Sequence, residues 1–206
     1  IRELTSVVTQ KTVLELQGTP CYGFSEEPEH RKQIISSRSF GKPVTDLKGL
    51  REAVSTFVAI ATTKLREENT VCQQITVYAR TNRFKGEFYG NSTCIVLDNP
   101  TNLTGTLTKA AMQGLKDIYR TGKEFKKAGI CLSDITPQSQ VQPNLFTQVD
   151  ESKQNNLMKA LDTLNGKWGK HTLRYATSNP NGLWKTLSEK RTQAYTSSWD
   201  ELLVVG

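Results

Sequence analysis

From 30 to 138 the sequence alternates between two hydrophobic periods, and the order of that alternation leaves few folds open. The run "KQIISSRSF" (32–40) is short, β-branched and serine-rich, and it ends at Gly41. Over 46–67, Leu47, Leu50, Val54, Phe57, Val58, Ala61 and Leu65 step at three and four, which draws one apolar stripe along a helix. In "QQITVYART" (73–81) the step falls to two: Ile75, Val77 and Ala79 share one face of a strand, and Thr76, Tyr78 and Arg80 the other. "NSTCIVL" (91–97) is a further strand, reached through "NRFKGEFYG". Leu107, Ala111, Leu115 and Ile118 predict a helix over 106–121, stopped by Gly122. "KKAGICLSD" (126–134) closes the series, with Ala128, Ile130 and Leu132 on one face and Lys127 and Cys131 on the other. A β-α-β-β-α-β order of this kind is an α+β fold: a four-stranded antiparallel sheet, both helices on one side, a bare face opposite. The strand phases put Arg38, Arg80 and Lys127 on that bare face.

Charge says what such a face meets. The 206 residues carry +7 overall, but 30–138 hold 17 basic against nine acidic side chains, while 1–29 are net acidic. An excess confined to one segment is the footprint of a polyanion partner; the plain alternative is a mildly basic, solvated domain. "SRSFG" (37–41) sets Ser37, Arg38 and Ser39 at a strand end, where hydroxyls and a guanidinium suit phosphate oxygens. "FKKAG" (125–129) adds Lys126 and Lys127, one facing each side of its strand, with Lys127 expected on the bare face.

Other classes are excluded. No apolar stretch approaches the ~18 residues that span a bilayer, so no membrane role is expected, and "IRELTSVVTQ" lacks the layout of a signal peptide. Cys21, Cys72, Cys94 and Cys131 are widely spaced and far in sequence from His30 and His171, so no metal-site spacing exists. Reduced thiols in the cytoplasm are expected. The chain opens on Ile1, which reads as a piece of a longer protein.

After 138 the character changes. "TPQSQVQPNLFTQVDES" cannot bury enough apolar surface to fold, yet Leu145 and Phe146 stand together within it. Gln142 with Leu145 and Phe146 suits an extended peptide that sets a hydrogen-bonding Gln in one subsite and two apolar anchors in a pocket beside it. Residues 151–206 make a small module: a helix around Leu157, Leu161 and Leu164, then "HTLRYATSNPNGLWK", which suggests strands around an Asn-Pro-Asn-Gly turn. Asp200 and Glu201 in "YTSSWDEL" resemble half of a two-metal carboxylate site, but no second acidic cluster stands in a suitable strand. A stand-alone single-stranded nucleic-acid reader with an RRM-like sheet is the alternative function. "FKGEFYG" (84–90) fits that module's aromatic signature poorly, with Glu87 where a ring should stack.

The blocks "TVLELQGTPC" (12–21), "SRSFGKPVTDLKGLREAV" (37–54), "FYGNS" (88–92), "KKAGICLSDITPQ" (126–138), "QPNLF" (142–146), "LMKALDTLN" (157–165) and "YTSSWDELL" (195–203) together resemble the carboxy-terminal half of the UmuC-type Y-family translesion DNA polymerases, the catalytic-subunit family of DNA polymerase V. The resemblance implies a division into a thumb end and linker (1–29), a little finger that grips the backbone of primer–template DNA (30–138), a tether that docks on the β sliding clamp (139–150), and a small module of unknown role (151–206). It implies a part in error-prone synthesis during SOS mutagenesis and DNA repair. The palm carboxylates that hold Mg²⁺ in the full-length polymerase have no counterpart here, so no catalytic or metal-binding residue is carried over and the chain alone is expected to be inactive. Pro143 departs from the family's Gln-Leu-x-Leu-Phe pattern, and proline suits an extended backbone. UmuD-like and RecA-like proteins enter as further partners of the family without being assigned to this half.

Overall fold

The computed structural model describes residues 6–23, 31–141, 152–187 and 192–202. They fall into two compact units, Ile1–Arg31 and Lys32–Gly206. The first holds one helix, α1 (Val7–Leu16), capped by Ser6, whose Oγ accepts from the Thr9 N–H at 3.4 Å. Gly18 takes a φ of 83° just past its end, the left-handed value that closes helices. Pro20 stands two residues further on, where the helix could not continue.

In the second unit the expected order appears: β1 (Gln33–Val44), α2 (Leu47–Glu67), β2 (Thr70–Thr81), β3 (Gly90–Thr101), α3 (Thr104–Ile118) and β4 (Phe125–Pro137). Asp46 starts α2, its carboxylate accepting from the Gly49 N–H at 2.8 Å. The α2 stripe of Leu50, Val54, Phe57, Val58, Ala61 and Leu65 is buried, as are Leu107, Ala111, Leu115 and Ile118 of α3. Both helices lie on one face of an antiparallel sheet of order β1-β4-β2-β3, which leaves β1 and β3 as edges. Ile34, Ile75, Val77, Ala128, Ile130 and Leu132 fill the space beneath the helices. Gly114 lets α3 settle onto β3, since a Cβ there would come within 2.7 Å of Thr93 Cγ2.

Beyond small shifts at element ends, such as β1 running on through Gly41 to Val44, two expectations fail. Helix α3 ends at Ile118, short of Gly122. Tyr119 leaves the helical conformation to stack on Phe125, with 5.9 Å between ring centroids, and donates its hydroxyl to the Thr45 carbonyl at 2.9 Å. The strands expected within 171–185 do not form; after α4 (Ser152–Trp168) the chain runs through turns and bends to 187.

The reason is that this segment answers to α2 and β1 rather than to itself. Thr177 Oγ1 lies 2.8 Å from Ser55 Oγ, and Ser178 Oγ lies 3.1 Å from Thr56 Oγ1. Asn179 donates its N–H to Thr56 Oγ1 and its amide to Glu52, both at 3.1 Å. Trp184, only 6% exposed, packs edge-on against Phe57 at 5.3 Å and Phe40 at 6.4 Å, and so joins the core under α2. Further along, Arg66 of α2 grips Asp162 of α4 through Nε at 2.6 Å and Nη2 at 2.8 Å. Trp184→Ala empties a core position, which costs about 3 kcal/mol or more. A fall in melting temperature of roughly 6–12 °C is expected for a unit of this size, measured by thermal circular dichroism; a module folded apart from the sheet would leave the main transition in place.

Candidate nucleic-acid interface

The strand register builds the open face row by row. Across the sheet run Ile35–Cys131–Thr76–Cys94, then Ser37–Gly129–Tyr78–Ser92, then Ser39–Lys127–Arg80–Gly90. These are the residues left over once the alternate positions turn toward the helices. The middle row has a gap made for a ring: a Cβ on Gly129 would lie 2.6 Å from the Tyr78 hydroxyl oxygen and would also collide with Ser37. Tyr78 therefore lies over the glycine, and the centre of the face is small and hydroxyl-rich. The third row is basic, with Lys127 and Arg80 on directly paired positions and Ser39 beside Lys127. Among the described residues neither cation has a carboxylate partner. Two like charges on neighbouring strands repel, and an anion placed between them relieves that repulsion.

Three of the basic residues expected to meet phosphates behave differently from one another. Lys127 is there. Arg38 pairs with Ala128, which is buried under the helices, so Arg38 belongs to the helix side of the pleat and emerges at the β1 edge, its Nη1 donating to the Ser37 carbonyl at 3.0 Å. The expected phase fails because "II" at 34–35 breaks the alternation, so either face fitted equally well. Lys126 is the extra residue where β4 bulges against β2, between the pairs Arg80–Lys127 and Thr81–Phe125. Its ammonium donates to the carbonyls of Phe40 and Gly41, in the stretch where β1 also loses register. Gln142, Leu145 and Phe146 lie outside the described residues.

The β2–β3 loop supplies what the sequence reading passed over. Phe84 is 95% exposed and the Arg83 guanidinium sits 5.3 Å from the Phe88 ring centre. Both aromatics stand in the loop and not on the sheet, so the rings do not form the stacking platform an RRM-like reader uses. Glu87, placed by sequence where a ring should stack, instead pairs with Lys123 at 2.7 Å, which holds its carboxyl below the usual carboxylate range. Between loop and bulge is an open cavity of about 430 Å³, lined among others by Gly41, Pro43, Lys85, Lys123 and Lys126. Lys85 is the missed cation; a lone lysine beside a glycine gives no periodic signal. The Mg²⁺ that the resemblance implies for the other half of the protein finds no fitting set of ligands among the described residues. Among those described no three His, Cys, Asp or Glu side chains gather, and Glu201 accepts the Ala194 N–H.

Comparison with known proteins bears on this arrangement. Residues 31–145 match the family model described as the impB/mucB/samB family C-terminal domain. The chain belongs to the impB/mucB/samB family. A second model, a domain of unknown function, matches 155–205. The chain is 36% identical over 208 residues to Protein UmuC of Salmonella typhimurium, covering 100% of this chain and 49% of UmuC. It is 36% identical over 205 residues to Protein ImpB of the same organism, covering 98% and 48%. It thus spans about half the length of the family members it matches, and the UmuC-type resemblance read from the sequence blocks holds. Among solved structures it is similar to the little finger domain of PolIV in a complex with the beta-clamp processivity factor. That likeness has a TM-score of 0.40 and 14% identity, covering 56% of this chain and 99% of the other.

The thiols test which face is open. Cys94 is exposed on the first row, Cys131 is half-buried, and Cys72 is buried beneath the helices. Burial raises the Cys131 thiol and pushes that of Cys72 up to about 12 from an ordinary 9.0. A thiol reagent near pH 8 is expected to modify Cys94 first, Cys131 slowly and Cys72 only on unfolding, read by peptide mass spectrometry. Because the folded state keeps the Cys72 proton, its contribution to stability is full below about pH 9 and is lost as the pH rises toward 12. Cys72→Ala should flatten that alkaline decline.

Proposed function

We propose that residues 30–138 grip the sugar–phosphate backbone of primer–template DNA through the basic end of the open face, as part of an error-prone translesion DNA polymerase of the UmuC type. The observation that carries this reading is the pairing of Lys127 with Arg80 on a face that no other described element covers, bordered by the hydroxyls of Ser37 and Ser39. Adjacent unpaired cations with hydroxyl donors suit phosphate oxygens and read no base edge. Such contacts position a duplex without selecting its sequence. Family membership supports the setting, and the charge concentrated in 30–138 supports a polyanion. The catalytic carboxylates and Mg²⁺ belong, in this reading, to the other half of the polymerase. The tether carries Gln142, Leu145 and Phe146 as the peptide that docks on the β sliding clamp, which keeps the grip on DNA.

Duplex binding by the 206-residue chain should weaken steeply with salt and show little sequence preference. Lys127→Gln and Arg80→Gln should each reduce the log–log salt slope by about one unit, while Arg38→Gln leaves it unchanged. Lys126→Gln should lower the melting temperature more than the slope, since its partners are β1 carbonyls. Fluorescence anisotropy over a salt series measures all four, and a sequence-selective, salt-independent affinity would refute the backbone grip.

Clamp docking is tested separately. Leu145→Ala and Phe146→Ala should weaken binding to purified β clamp by several-fold to a hundred-fold, in line with ~1–3 kcal/mol for an apolar anchor leaving its pocket. Melting temperature and DNA affinity should not move. Loss of stability with clamp binding intact would instead assign the pair to the chain's own core.

A further inference from the structure

The domain of unknown function is joined to the edge of the sheet that carries the proposed grip. Lys185 accepts the Gly41 N–H through its carbonyl at 3.2 Å, and Thr186 donates its hydroxyl to the Ser39 carbonyl at 2.8 Å. Trp184, one residue earlier, is seated between Phe40 and Phe57. From β4 the Lys126 ammonium donates to the carbonyls of Phe40 and Gly41. Residues 39–41 begin at the last regular pair, Ser39–Lys127, and run into the stretch where β1 and β4 lose register before Val44–Phe125. A bulged edge strand lacks the ladder that holds a regular one; here side chains and a second segment replace it. The approach is close: a Cβ on Gly41 would lie 2.6 Å from the Lys185 carbonyl oxygen and 2.8 Å from the Leu187 nitrogen. Gly41 has an ordinary backbone conformation, so the glycine answers to the neighbouring segment and not to its own φ.

We propose that residues 177–187 are a clasp that fixes the β1 edge at 39–41 in the form that sets Ser37 and Ser39 beside Lys127 for a phosphate backbone. This gives the domain of unknown function a role in DNA binding without any contact to DNA, and it rests on the backbone-grip reading above. The Thr177 and Ser178 hydroxyls on Ser55 and Thr56, with the Asn179 N–H donating to Thr56 Oγ1, anchor the clasp on α2, Trp184 locks it into the core, and 185–186 reach the edge. Positioning is the whole of its action: residues 184–187 act through Ser39 and Gly41.

The test uses the full 206-residue chain and a primer–template duplex. Gly41→Ala expels the clasp without touching a charge or a hydroxyl, and Thr186→Val removes only its bond to Ser39. Both should speed amide hydrogen exchange at positions 39–41 and weaken duplex binding several-fold, with the salt slope unchanged because no phosphate contact is lost. Leu107→Ala, which opens the core beneath α3, serves as the control: it should lower the melting temperature by a similar or larger amount and leave duplex affinity unchanged well below that temperature. Lys127→Gln, with its reduced slope, reports on the grip itself. If Lys127→Gln acts as expected while Gly41→Ala and Thr186→Val keep wild-type affinity, the clasp is refuted and the grip stands. If exchange at 39–41 is unaltered in both variants, the clasp is likewise refuted. If Lys127→Gln and both clasp variants all leave binding unchanged, the grip reading falls and takes the clasp's function with it.

Discussion

Two helices lie on one side of a four-stranded sheet, and this one-sided burial sets nearly everything else. Because side chains alternate along a strand, dry positions such as Ile75, Val77, Ala128 and Ile130 force Thr76, Tyr78, Lys127 and Cys131 to the other side. The helices supply enough apolar area to hold the sheet from that side alone, with α2 and α3 fully buried along their stripes. Among the described residues the opposite face carries little packing beyond Tyr78 lying over Gly129 and the Ser133–Gln74 hydrogen bond. A face released from packing in this way can carry cations that a core would not tolerate.

The same geometry makes the edges weak points, and the chain manages β1 with unusual means. Its ladder to β4 breaks after Ser39 and resumes at Val44. Lys126, from the β4 bulge, and the 184–187 stretch close on that break from two directions. One lysine thereby becomes a structural bolt while its neighbour Lys127, a single position on, remains available to solvent. The chemistry of adjacent lysines is identical; a bulge alone separates their roles.

The fold was legible in the sequence to the extent that periodicity is a local property. The stripes of α2 and α3 could be read because their residues repeat for three turns or more, and the strand faces of β2 and β4 because each alternates without interruption from 75 to 79 and from 128 to 132. β1 was not legible in phase: Ile34 and Ile35 are equally apolar, and only pairing with β4 buried the first and exposed the second. Arg38 was misplaced for that reason. Tyr119 ended α3 early for the nearby Phe125 ring and for a carbonyl distant in sequence, that of Thr45.

By itself, then, the sequence determined the order of elements from 30 to 138, the side of β2 and β4 that stays dry, the concentration of positive charge in 30–138 and the short apolar pair at 145–146. Each follows from spacing or composition within a window of a few residues. The tertiary structure alone decided that Lys127 and Arg80 are neighbours, that Lys126 is not one of them, and that a tryptophan in the domain of unknown function completes the core beside Phe40. Those outcomes depend on register across strands and on contacts between residues more than a hundred positions apart. No local pattern encodes them, because the free energy that selects them comes from surfaces that meet only when the chain is folded.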